Sequence, residues 1–141
     1  MTRIESDQVE VAKSADAVFN YLSNFNNFKS LMPHQVTDWE STEEDCSFNL
    51  NGMAKIGMKI VEKTPNSAIK ISSFGKVPFD FTLHVSILET GAGACKGQLI
   101  FEGDINPFMK IMVEKPLTHF FNGLAQKMKD DIKFRVSIEK Q

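Results

Sequence analysis

A long series of strand-length segments with period-two hydrophobicity, closed by one helix-length amphipathic segment, constrains this chain more than any other feature. Phe79, Phe81, Leu83, Val85 and Ile87 alternate with Asp80, Thr82, His84, Ser86 and Leu88. Upstream, Ala54, Ile56, Met58 and Ile60 alternate with Lys55, Gly57, Lys59 and Val61; downstream, Leu99 and Phe101 oppose Gln98 and Glu102. Such alternation puts apolar side chains on one face of a sheet and polar ones on the other. The dry face is rich in Phe and needs a cover. Asn106 to Arg135 supplies it, with an apolar stripe that includes Leu117, Phe120, Phe121, Leu124, Met128 and Ile132.

The punctuation predicts seven strands: Ile4–Val11, Val36–Thr42, Cys46–Leu50, Met53–Lys63, Ser67–Phe74, Phe79–Glu89 and Ala94–Asp104. Asn51-Gly52 is a strong hairpin signal, because both residues tolerate positive φ. Short turns between successive strands imply an antiparallel meander. After the first strand, Ser14 is a good N-cap for a helix carrying Val18, Phe19 and Leu22, and Asp16 suits its first turn. Phe28–Met32 reads as a second short helix ended by Pro33. In the C-terminal segment Asn106 is an N-cap and Pro107 takes the first helical position. Pro116 predicts a kink or break, leaving a short Phe108–Glu114 piece and a longer Pro116–Arg135 helix. Gly123, beside the stripe, allows close approach of another backbone, and Lys127 with Asp131 forms an i,i+4 pair.

A chain of 141 residues suits a single domain, 1–141, large enough to bury a core without metals or disulfides. Its net charge of −2, with no Lys/Arg cluster, argues against a nucleic-acid partner. No stretch reads as a signal peptide or a membrane span. Cys46 and Cys95 are isolated and read as buried free thiols, which suits a cytoplasmic location. Twelve Phe and seven Met against one Tyr and one Trp supply apolar surface with no strong hydrogen-bonding group. That mixture suits a core or the wall of an apolar cavity.

The order β-α-α-β-β-β-β-β-β-α resembles the START-like helix-grip superfamily, SRPBCC, which includes polyketide cyclase and aromatase domains, coenzyme Q-binding proteins and lipid-transfer domains. The local resemblance is strongest from Val9 to Ser23, a strand, a small polar cap and a helix with Val-Phe and Leu; Phe28 through Met32-Pro33 resembles the family's short second helix. The resemblance spans essentially the whole chain and is specific for fold, since the family has no universal catalytic motif. It implies an α+β helix-grip architecture: a seven-stranded curved antiparallel sheet wrapped around the long last helix, enclosing a cavity for an apolar ligand.

Under that reading the ligand-binding candidates are Phe25, Phe28, Leu31, Met32, Met58, Ile60, Ile71, Phe81, Leu83, Phe101, Phe108, Met112, Leu117, Phe120 and Leu124. The competing account is that they simply fill the interior. The expected ligand is a hydrophobic or amphipathic small molecule such as a lipid, a quinone or a polyketide-like compound. His34, Asn26 or Asn27 would orient its head. No catalytic residue is assigned: His34 is the best-placed acid or base, and Ser73 reads as a satisfied core hydroxyl. No spacing marks a metal site, and no cofactor is expected. Two alternatives stand beside binding. One is a polyketide cyclase- or aromatase-like enzyme; the other is an interaction module or homodimer using the apolar Phe108–Val113 segment.

Overall fold

The computed structural model describes residues 1–50, 52 and 54–132, the last two by backbone alone. Eight strands form one antiparallel sheet: β1 (Thr2–Glu5), β2 (Val9–Val11), β3 (Val36–Ser41), β4 (Asp45–Leu50), β5 (Ala54–Thr64), β6 (Ala68–Ser73), β7 (Phe81–Gly91) and β8 (Ala94–Gly103). Their order is β1-β8-β7-β6-β5-β4-β3, with β2 also paired to β8. The curved sheet is not closed, and β1 and β3 end its path. The expected meander is therefore present, with the N-terminal strands folded back against the last one.

The expected count of seven strands is corrected to eight at Ser6. Thr2↔Gly103 through Glu5↔Ile100 pair in one register, and Val9↔Gly97 resumes the ladder. Between them the buried Ser6 hydroxyl, rather than a strand carbonyl, accepts the Leu99 N–H at 2.9 Å. A side chain has replaced one rung, so a segment read as continuous divides in two.

The caps behave as the sequence implies. Ser14 accepts from Ala17 N at 3.1 Å and starts α1 (Ala15–Leu22), which buries Val18, Phe19 and Leu22. The expected Phe28–Met32 helix is instead two 3-10 turns, Phe25–Asn27 and Lys29–Leu31. Asn24 Oδ1 caps the first of these by accepting from Asn26 N at 2.9 Å. Gly52 takes the positive φ (66°) required at the hairpin, while the expected strand residue Met53 lies outside the described residues.

Asn106 Oδ1 accepts from Met109 N at 2.8 Å and opens α2 (Pro107–Lys127), followed by a π-helical turn over Met128–Ile132. Of the kink or break expected at Pro116, the break is absent: α2 runs through it. Pro116 removes one amide donor, and the carbonyl that forgoes it belongs to the exposed Met112, where water can serve. Just beyond, Leu117, Phe120, Phe121 and Leu124 are buried and hold the helix on the sheet. The residues expected to continue the helix to Arg135, and the side chains of Asp131 and Ile132, lie outside what the structure describes. At Gly123 the close neighbour is a ring rather than a backbone, since an added Cβ would sit 3.3 Å from Pro33 Cγ. That approach seats the exit of the second 3-10 turn against α2.

Candidate functional site

The dry face predicted from alternation is the concave side of the core. Ile56, Met58, Ile60, Ile69, Ile71, Phe81, Leu83, Val85, Ile87, Leu99 and Phe101 are all buried. Where the sheet meets α2, a small chamber of about 40 Å³ remains. Its wall comprises Phe28, Met32, Phe48, Leu50, Ile56, Met58, Phe79, Phe81, Leu83, Phe101, Leu117, Phe120, Phe121 and Leu124. No nitrogen or oxygen atom of the described residues reaches its surface.

Aromatic rings form a continuous arc around it. Trp39 stacks on Phe48 at 5.5 Å, and Phe48 meets Phe120 at 6.2 Å. Phe120 contacts Phe121 at 5.3 Å, Phe121 contacts Phe101 at 5.3 Å, and Phe101 stacks on Phe81 at 5.5 Å. Phe79 closes the arc edge-on to Phe81 and Phe101, at 6.0 and 6.1 Å. Offset and edge-to-face pairs of this kind add to plain burial.

Of the candidates, Phe28, Met32, Met58, Phe81, Leu83, Phe101, Leu117, Phe120 and Leu124 come together in this wall. Phe25, Leu31, Ile60 and Ile71 are buried in the core but do not line it. Phe108 and Met112 are placed elsewhere, exposed to 76% and 61% on the first turns of α2. Missed at the sequence level were Phe48, Leu50, Ile56, Phe79 and Phe121. Ile56 and Phe79 carried the dry-face parity, and Phe121 lay in the helix stripe. Phe48 and Leu50 share the parity of Cys46 on β4, a signal that was present but not assigned to a face.

Only two wall residues are less than fully buried, Met32 and Phe79. Met32 also lines a second hollow, an open groove of about 470 Å³ formed with Lys29, Pro33, His34, Val36, Thr37, Asp38 and Trp39. Met32 thus borders both chamber and groove. Lys29 and His34 are exposed there, and Asp38 accepts from Asn49 Nδ2 at 2.7 Å. Asn26 and Asn27, expected to orient a ligand head, are engaged structurally. Asn26 Oδ1 accepts from Ser41 Oγ at 2.7 Å, and Asn27 Nδ2 donates to the Tyr21 carbonyl at 2.8 Å.

A larger concavity, about 540 Å³, lies on the β4–β5 side of the sheet and is lined by Glu40, Thr42, Asp45, Ser47, Lys55, Phe74 and Lys76, among others. It is open, and its wall mixes both charge signs. Its floor explains Gly57, since a Cβ there would collide with the Phe74 carbonyl oxygen.

The titratable groups offer little chemistry near the chamber. His84 Nε2 faces Glu102 at 4.0 Å on the wet side, and His119 is exposed. Ser73 Oγ accepts from Phe81 N at 3.2 Å, as expected of a satisfied hydroxyl. Cys46 and Cys95 are buried and free. Burial, and secondarily the Asp45 carboxylate, pushes the Cys46 thiol up to about 12; burial also raises Cys95. Thiols held protonated are poor nucleophiles and poor metal ligands. Among the described residues no cluster of His, Cys, Asp and Glu has the arrangement of a metal site, and no helix is long and apolar enough to cross a membrane.

The architecture is the START-like helix-grip fold. No family model matches the sequence, and no curated protein matches it. Solved structures do resemble it. A norcoclaurine synthase mutant from Thalictrum flavum, bound to a transition-state analogue, superposes with a TM-score of 0.75 at 18% identity over 99% of this chain and 96% of that one. A START superfamily protein from Mycobacterium smegmatis gives 0.68 at 16% identity, covering 93% and 97%. The protein XoxI from Bacillus cereus gives 0.70 at 10% identity, covering 94% and 96%. At such identities the likeness concerns the fold.

Proposed function

We propose that this protein binds a hydrophobic or amphipathic small molecule in the chamber between sheet and α2. The observation that carries the proposal is the wall itself: fourteen converging side chains, all carbon and sulfur, around a residual space. Close-packed interiors also keep a few voids of this size, so the reading rests on the wholly apolar wall rather than on the volume of the gap. The present space of about 40 Å³ is far below the roughly 300–1,000 Å³ of established small-molecule pockets. Binding therefore requires side chains to move, and Met32 and Met58 are unbranched and suited to it. Each Å² of apolar ligand surface removed from water would contribute about 25 cal/mol.

A cyclase-like enzyme finds less support, because no acid or base reaches the chamber. The fold accommodates catalysis elsewhere, as the norcoclaurine synthase structure with dopamine and hydroxybenzaldehyde illustrates for that protein. Native mass spectrometry of the purified chain, followed by solvent extraction, tests the binding proposal. A co-purifying apolar compound, or uptake of fatty acids or polyaromatic dyes, is expected; neither would be seen if the interior is only core.

A second reading has its own observation. Phe108, Ile111 and Met112 lie on one flank of α2 and are 76%, 83% and 61% exposed. An apolar flank of this kind suits a protein contact, including one between two copies. If it does so, changing Phe108 and Met112 to Ser lowers the hydrodynamic mass; an unchanged mass removes the dimer version.

A further inference from the structure

The chamber and the neighbouring groove divide the chemistry between them in a way that specifies more than a hydrophobic ligand. The chamber offers no hydrogen-bond partner, so a hydroxyl or carbonyl carried inside would lose its water contacts without replacement. The groove beyond Met32 is polar and carries two nitrogen donors, the Lys29 ammonium and the His34 imidazole. Neither has a carboxylate partner within 4.0 Å among the described residues, where the ion pairs are Arg3 with Glu5 and Glu102, His84 with Glu102, and Lys110 with Glu114. The groove's own acid, Asp38, already has one oxygen on the Asn49 amide. Among the described residues Met32 is the one that lines both spaces.

Building on the proposed binding role, we infer that the ligand is a single-chain amphiphile with an anionic head, a monocarboxylic acid in its simplest form. Its alkyl chain passes the Met32 thioether into the chamber, and its carboxylate stays in the groove against Lys29 and His34. The other half-buried wall residue, Phe79, is a less suitable portal. It stacks edge-on to two rings, so displacing it breaks the aromatic arc, whereas displacing Met32 breaks no ring pair.

The test compares laurate with 1-dodecanol, which has the same chain length and a neutral head. Titrations of the full chain, followed by methyl resonances of Met58, Leu83 and Leu124, locate the bound chain and give its affinity. Laurate is expected to bind about tenfold more tightly, the scale of one charge-assisted hydrogen bond at a wet site. The double variant Lys29→Gln, His34→Gln should lower laurate affinity to that of dodecanol on the native chain. Both side chains are exposed, so the variant should fold. Equal affinity for the two probes, or a laurate preference that survives the double variant, overturns the anionic-head assignment while leaving the chamber as a binding site. If neither probe moves the chamber methyls, the binding proposal fails and this inference falls with it.

Discussion

At the residue scale, the most chemically distinctive groups are the two thiols, because burial works against their charged form. An unfolded Cys46 loses its proton near pH 9, whereas the folded one holds it until about 12. In that interval the unfolded chain binds fewer protons, so stability is complete below pH 9 and declines as pH rises toward 12. Urea denaturation should show a loss of about 1 kcal/mol from this group between pH 9 and 10. Cys46→Ala should flatten that slope. The native thiols should also react with aromatic disulfide reagents only as fast as the protein opens. Residue identity alone made the buried, free state legible: two isolated cysteines on strand segments had no partner spacing. It did not reveal Ser6, whose hydroxyl replaces a ladder acceptor, because one Ser among polar neighbours carries no periodic signal.

At the element scale, local propensity and tertiary packing disagree at Pro116, and packing prevails. The proline still removes one helical donor, so Pro116→Ala should stabilise the protein, by up to about 3 kcal/mol, visible as a higher Tm. A lower Tm would mean that the proline geometry itself is required for α2 to meet the sheet. Gly57 makes the opposite prediction. Phe74 N donates to its carbonyl at 2.9 Å, and a Cβ would collide with the Phe74 oxygen, so Gly57→Ala should separate the end of β6 from β5. A loss of about 1–3 kcal/mol in urea denaturation is expected. Caps were readable because Ser14 and Asn106 act on backbone three residues away. The close approach at Gly57 was not, because Phe74 reaches it from just past the end of β6, seventeen residues on.

At the scale of the whole molecule, the sequence disclosed which face is dry but not how far along each strand the chamber extends. Met58 and Ile60 share a face, as do Leu83 and Ile71 across the β6–β7 pair, yet only Met58 and Leu83 reach the cavity. Period-two parity records the side of the sheet; distance from α2 depends on curvature and crossing angle, which no pattern encodes. The same limit applies to Phe108 and Met112, apolar and correctly placed on α2 but turned outward. Only the assembled fold reveals that Met32 borders both an apolar chamber and a polar groove.

The central claim is that the chamber opens to take an apolar chain. It is tested most directly by methyl-labelled NMR spectra of the full chain with increasing 1-dodecanol, a probe whose neutral head makes the result independent of Lys29 and His34. The account predicts saturable shifts at Met32, Leu50, Ile56, Met58, Leu83, Leu117 and Leu124, the methyl-bearing side chains around the cavity. Shifts confined to the exposed Ile111 and Met112, or none at all, would contradict it and leave the interior as packed core.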